Sequence, residues 1–307
     1  MFEKAFSYLG ILVLAVLSLL PLRVLYVFAK VIYFLLYHLF SYRRKVVREN
    51  LNNAFPEKKA DEILKIEKQF YAYLANLMVE IIKMNTISKK ELLKRYRFKN
   101  IELMESYFRK GESVLICSAH YGNWEWGNMA IGLTFSAQNY AIYKPLNNPL
   151  FNYWFEQIRS RFGNKMIAMR QTLRALKACD DPCIFSFGND QAPSKDESHY
   201  WTTFLNQQSS VQLGIEKIAK KTNRPIFYLK ISVIKRGYYE VDCVPLCLNP
   251  TATAAFEITE LHTRFLEDFI KEEPAYWLWS HRRWKYKPEV KLPNIQLGDL
   301  SKEMVYS

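Results

Sequence analysis

The stretch SVLICSAHYGNWEWGN, residues 113–128, joins two elements of different kind. Its first half, "SVLICSAH" (113–120), is a short apolar run rich in β-formers, the pattern of a buried strand. Gly122 and Asn123 then supply turn chemistry, and Asn123 is a good N-cap for a helix starting at Trp124. This reading leaves His120 at the strand's C-terminal end and Glu125 in the first helical turn, pointing back. On a regular helix, residues five apart lie about 140° apart, so the two can meet only if the chain turns between them. Open α/β sheets bind ligands at that strand edge.

Outward from this unit the pattern repeats. Further strands are expected at "NYAIY" (139–143), "CIFSF" (183–187), "IFYLKISV" (226–233) and "YYEVDCV" (238–244). Helical patterns lie between them, at about 124–135, 149–160, 170–178, 211–221 and 254–271. An earlier amphipathic helix runs from Lys58 to Met84, with Ile63, Ile66, Phe70, Leu74, Leu77 and Ile81 recurring every three or four positions. Strands alternating with helices predict an α/β layered domain. "KRGYY" (235–239) reads as a tight turn making the last two strands an antiparallel hairpin, so the expected central sheet is mixed and flanked by helices.

The N-terminus has a different character. Ala5 to Leu22 carries no charge, and as a helix it would cover roughly 27 Å, barely a bilayer core. Pro21 and Arg23 interrupt it, and Val24 to Phe40 resumes with Lys30 as its one full charge, placed to snorkel. No small-residue cleavage pattern comes after it, which argues against a secretory signal. Residues 1–42 are read as a membrane anchor and 43–307 as the domain it carries. A re-entrant hairpin bent at Pro21, one long tilted helix, and a buried helix pair of a soluble core all remain open. If the segment crosses a membrane, the cluster Arg43, Arg44, Lys45 and Arg48 puts the domain beyond it in the cytoplasm.

A chain of 307 residues with only 10 Gly and 12 Pro shows no linker, so one large domain is favoured. The net charge of +13 calls for an anionic partner. The basic residues gather after the apolar N-terminus and again at Arg282, Arg283, Lys285 and Lys287, a distribution that fits a membrane surface better than nucleic acid. Five cysteines, at 117, 179, 183, 243 and 247, lack C-x-x-C spacing and are read as free thiols suited to a reducing compartment.

A neutral imidazole can take a proton from a hydroxyl when its other nitrogen donates to a carboxylate, which fixes the tautomer and stabilises the imidazolium. Ser118 lacks a G-x-S-x-G elbow, and no H-E-x-x-H or second nearby His or Cys completes a metal site. By spacing alone, one His and one Glu are more often structural than catalytic.

The string His120-Tyr-Gly-Asn-Trp-Glu125 resembles the H-x4-[DE] signature of glycerolipid acyltransferases, and its setting resembles their bacterial lipid A late (lauroyl/myristoyl) acyltransferase branch. Four further stretches are similar to that branch in the same order: "YRRKVVRENLNNAFPEK" (42–58), "IYKPLNNPLFNYW" (142–154), "FGNDQAP…WTTFLNQQSSV" (187–211) and "YWLWSHRRWKYKP" (276–288). The match covers about residues 1–290. The resemblance implies an inner-membrane enzyme with its catalytic domain in the cytoplasm. It implies transfer of a fatty acyl chain from acyl carrier protein or coenzyme A to a hydroxyl of a lipid acceptor, the lipid A precursor in lipopolysaccharide synthesis. It implies His120 as base and Glu125 as its orienting partner. An activated thioester donor needs no metal and no other cofactor. Lys144 stands where the family pattern usually has arginine; it keeps the charge but loses the bidentate fork.

Other residues carry two readings each. Asn123 caps the helix or contributes to substrate binding through an oxyanion hole. Asp190 and Gln191 come after an apolar strand at the same sheet edge, as acceptor-positioning groups or as a plain turn. Arg282 and Arg283 bind lipid phosphate or an acidic carrier, or form a solvated charge cluster. His281 reads as packing, His38, His199 and His262 as structural or surface, and Trp124 and Trp126 as packing the helix onto the sheet or, for one of them, lining an acyl groove. Two alternatives stand beside lipid A acylation: O-acylation of an aminolipid or lysophospholipid, and a non-catalytic membrane protein that binds anionic ligands.

Overall fold

Seven strands form the central sheet of the computed structural model, which describes residues 2–195 and 200–288; His199 lies outside them. They are β1 (Tyr96–Lys99), β2 (Val114–Ser118), β3 (Gln138–Tyr143), β4 (Lys165–Ala168), β5 (Cys183–Gly188), β8 (Ile226–Lys235) and β9 (Tyr238–Cys247). Their order across the sheet is β1-β9-β8-β2-β5-β3-β4. All neighbours run parallel except β8 and β9, which form the expected antiparallel hairpin, so the sheet is mixed. β6 (Tyr200–Phe204) and β7 (Gln207–Val211) pair separately as a second hairpin.

The centre of the sheet is dry on both faces. Val114, Leu115, Ile116 and Cys117 of β2 all have 0 % exposure, the reason this strand reads as a continuous apolar run and not as an alternation. The covering helices are α4 (Ala60–Lys83), α7 (Trp124–Thr134), α8 (Pro149–Ser160), α9 (Thr172–Lys177), α10 (Gly214–Thr222) and α11 (Glu257–Glu272). Shorter helices α3 (Arg44–Ala54), α5 (Lys89–Arg95) and α6 (Glu102–Arg109) complete the domain.

The apolar N-terminus forms α1 (Phe2–Leu19) and α2 (Leu22–Phe34), separated at Pro21, with a π-helical turn Leu35–Leu39 continuing α2. Leu22–Leu39 is long and apolar enough to cross a membrane. Its inner face, Leu22, Leu25, Tyr26 and Ala29, packs along α4. The outer faces of both helices stay bare, with Leu9, Leu12, Val16, Val27, Val31 and Phe34 exposed. A contiguous apolar surface of this kind marks a partner or a membrane.

The basic cluster after these helices is less free than its sequence implies. Arg44 and Arg48 both pair with Glu67 of α4, a fully buried carboxylate, and Arg43 donates to the Ser280 carbonyl at 3.0 Å. Of the four, Lys45 and Arg43 remain exposed. Cys117, Cys243 and Cys247 are free, the first two buried. The sulfurs of Cys179 and Cys183 face each other at the entry to β5.

Candidate active site

Sheet register builds the site. β2 and β5 are parallel neighbours with Ser118 beside Gly188, and Asn189 N extends the ladder by donating to Ser118 O at 3.1 Å. Two residues further along each strand, His120 and Asp190 therefore leave the sheet side by side. His120 Nδ1–H donates to Asp190 Oδ1 at 2.7 Å, and Asp190 Oδ2 accepts from the His120 backbone N–H at 3.0 Å. Trp277 Nε1 donates to the same Oδ2 at 2.9 Å.

These partners set the tautomer. An ionised carboxylate only accepts, so Nδ1 carries the proton and Nε2 is left with its lone pair. The Gln191 amide meets Nε2 at 3.2 Å, consistent with a donor facing an acceptor. The ring is 26 % exposed while the Asp190 side chain is 2 % exposed. Burial by itself would lower the His120 pKa, but the charge and hydrogen bond of Asp190 outweigh it and hold the ring above its ordinary value. Burial would likewise raise Asp190; the charge of His120, with the ring, backbone and Trp277 donors, brings it down to about 2. Geometry and electrostatics agree on a basic imidazole backed by an ionised carboxylate.

Glu125 is not that carboxylate. The His120–Glu125 pair expected from the sequence is not among the contacts here: the course of α8 carries Arg159 to Glu125. Arg159 Nε donates to Glu125 Oε2 at 2.7 Å, and Nη2 donates to Oε1. Both oxygens are occupied by one guanidinium, the bidentate geometry arginine favours. Glu125 still lies close enough for its charge to help raise the His120 pKa.

Asn123 is the N-cap read from the sequence: its Oδ1 accepts from Trp126 N at 2.9 Å. Its amide also donates to Glu80 Oε2 at 2.7 Å, and the residue has 0 % exposure. Both ends of the amide are thus engaged within the fold, contacts that match the cap reading of Asn123. The turn before it is tight. Gly122 has φ +56°, and a Cβ there would sit 2.7 Å from Ile231 Cγ2, so no larger residue fits without displacing β8.

The C-terminal segment straps both loops. Gly122 N donates to Tyr276 O at 3.0 Å, and Leu278 N donates to His120 O at 3.1 Å. His281 Nε2 accepts from Ala192 N at 3.2 Å, holding the loop that bears Asp190 and Gln191. Asn50 of α3 in turn donates to the carbonyls of Trp279 (2.9 Å) and His281 (3.1 Å). The packing role read for His281 is thus specific, and Trp277, Arg159 and Asn50 are site residues that the sequence reading does not single out.

The remaining candidates separate. Lys144 comes directly after β3 at the same strand edge and is exposed, as is Arg282. Arg283 is 4 % exposed and lies over the Phe204 ring. Burial pulls its pKa to about 10. Trp126 is fully buried, whereas Trp124 sets its ring edge-on to His120 at 5.0 Å between centroids. A cavity of about 490 Å³ lies behind the Gly122 turn, lined by Tyr73, Glu80, Tyr239, Glu273 and Tyr276, and does not include His120. Among the described residues no three ligating side chains converge on a metal-sized site.

Similarity to known proteins identifies the family. Residues 1–286 match the bacterial lipid A biosynthesis acyltransferase family. A lipid A biosynthesis acyltransferase of Haemophilus influenzae is 22% identical over 279 residues, 89% of this chain and 85% of that protein. The lipid A biosynthesis lauroyltransferase of Escherichia coli K12 is 21% identical over 285 residues, 92% of each chain. The palmitoleoyltransferase of the same organism is 21% identical over 255 residues, 80% of each. With a match running from the apolar N-terminus through His120, Asp190 and the C-terminal strap, the chain belongs to the bacterial lipid A biosynthesis acyltransferase family.

Proposed function

We propose that the protein transfers a fatty acyl chain from a thioester to a hydroxyl of the lipid A precursor, with His120 as general base and Asp190 as the carboxylate that orients it. The observation that carries this reading is the His120–Asp190 hydrogen bond of 2.7 Å at the C-terminal strand edge, with Nε2 turned away from Asp190. Nε2 removes the acceptor hydroxyl proton as the oxygen attacks the thioester carbonyl. The tetrahedral intermediate collapses, the carbon–sulfur bond breaks, and the imidazolium returns its proton to the departing thiolate. Asp190 stabilises that imidazolium throughout. A base so placed contributes typically about 10²–10⁴-fold. The donor is acyl carrier protein or coenzyme A, and because a thioester is already activated, this route needs no metal.

The bare faces of α1 and α2 support residues 1–42 as the membrane anchor that brings a lipid acceptor to this edge. The lipid A precursor lies at the bacterial inner membrane, and the domain faces the cytoplasm, where acyl thioesters are made. Lys144 and Arg282, both exposed, are cations open to acceptor phosphate or carrier. Incubating the detergent-solubilised protein with acyl carrier protein or coenzyme A thioesters and a panel of hydroxylated lipids tests the reading. A lipid A precursor gaining one acyl chain by mass is expected; gain only by an aminolipid or lysophospholipid would replace the acceptor, and no transfer at all would overturn the proposal.

A further inference from the structure

Glu80 stands at 0 % exposure in the C-terminal half of α4, and its carboxylate gathers donors from three separate parts of the fold. Tyr26 of α2 donates to Oε1 at 2.7 Å. Asn123, the cap of α7, donates to Oε2 at 2.7 Å, and Tyr239 of β9 donates to the same oxygen at 2.6 Å. The Glu80 backbone carbonyl also accepts from Trp126 Nε1 at 3.0 Å. No cation is in hydrogen-bond contact with the carboxylate among the described residues. A buried carboxylate without a paired cation is costly unless its lone pairs are filled, so each of these donors is held firmly.

We infer that Glu80 is a positioning residue which couples the N-terminal apolar helix α2 to the catalytic turn, acting on His120 through Asn123. The path is short. Tyr26 fixes Glu80 from the anchor side, Glu80 fixes the Asn123 amide, and Asn123 caps α7 immediately after the Gly122 turn, three residues beyond His120. The turn has little slack, because Gly122 is packed against Ile231 and its N–H is bound to Tyr276. Displacement of Asn123 is therefore passed to the imidazole, and reacting groups misplaced by about 1 Å can cost about 100-fold. Seating of α2 thus becomes a condition for a well-placed base. The inference rests on the reading of His120 as base.

The test uses the full chain in detergent and in phospholipid vesicles, with Tyr26→Phe, Asn123→Ser and the double variant. Tyr26→Phe removes one hydroxyl; Asn123→Ser keeps a capping oxygen but loses the donor to Glu80. Two readouts are taken: kcat and KM for acyl transfer, and hydrogen exchange at the Trp126 and Gly127 amides, which Asn123 holds. Tyr26→Phe is expected to lower kcat about five- to tenfold with KM within about twofold, and to speed exchange at both amides, as loss of a hydrogen bond to a charged group implies. The double variant should fall little below the worse single, since both act through Glu80. Glu80→Gln, which keeps volume but cannot accept all three donors, should reproduce the loss if Tyr26→Phe proves poorly folded. Unchanged exchange in Tyr26→Phe overturns the coupling whatever the activity, and so does faster exchange with unchanged kcat or losses that simply multiply. A wild-type protein that transfers no acyl group defeats the catalytic reading instead, and leaves the exchange measurement to decide the coupling.

Discussion

His120 and Asp190 are separated by 70 positions in the chain, and their side chains lie 2.7 Å apart because β2 and β5 are parallel neighbours in register. The carboxylate thus reaches the imidazole from the adjacent strand, while the nearer one in sequence, Glu125, is held by Arg159. The two acids should behave differently when changed.

Asp190→Asn should lower kcat/KM by about 10²–10⁴-fold, since the orienting acceptor and the stabilising charge go together. It should also move the pH profile. Burial lowers the His120 pKa and Asp190 raises it more, so the ring is held above its ordinary value and activity should climb with pH through that raised pKa. Without the Asp190 charge, burial is less opposed and the limb shifts to lower pH. A kcat/KM profile of residual activity checks the direction.

Arg159→Met leaves Glu125 buried without its guanidinium, and thermal unfolding should register a loss of about 3 kcal/mol. Glu125→Gln should cost less activity than Asp190→Asn, because the imidazole keeps its hydrogen-bond partner. Equal losses in the two acid variants would return Glu125 to the role that its sequence position implies.

Trp277→Phe removes one of the donors that hold Asp190 ionised. A hydrogen bond to a charged group contributes about 1.5–3 kcal/mol, so kcat should fall about tenfold or more while the fold persists. Measuring kcat beside the unfolding temperature separates this from a packing defect.

Deleting α1 and α2 would uncover α4, so point changes on the outer face test the anchor more cleanly. Replacing exposed Leu12, Val16, Val27 and Val31 by serine should each remove roughly 1.5 kcal/mol or more of transfer into an apolar phase. The expected outcome is a lower membrane-pelleting fraction with an unchanged unfolding temperature. Unchanged pelleting would remove the anchor from these helices.

What the sequence makes legible is local. Val114–Ser118 is apolar throughout, Gly122 and Asn123 carry turn and cap chemistry, and α7 begins at Trp124 as the cap requires. Arg236 and Gly237 likewise announce the β8–β9 hairpin. The short strands β1 and β4, four residues each, escape a sequence reading because so few positions carry no periodicity. The β6–β7 hairpin turns on Leu205 and Asn206, both at positive φ, without the Asn-Gly or Asp-Gly signal that usually marks such a turn. Asp190 is legible at the correct edge, yet its pairing depends on which strands are neighbours, and that is decided by packing across the sheet. Trp277 and Glu80 are invisible for the same reason: their donors and acceptors come from distant elements.

The most direct measurement is acyl transfer by His120→Ala, purified in folded, membrane-bound form, compared with wild type on the same thioester and lipid acceptor. A fall of about 100-fold or more with an unchanged unfolding temperature is expected if one imidazole carries the proton. Near-wild-type transfer by that variant would contradict the account at its centre.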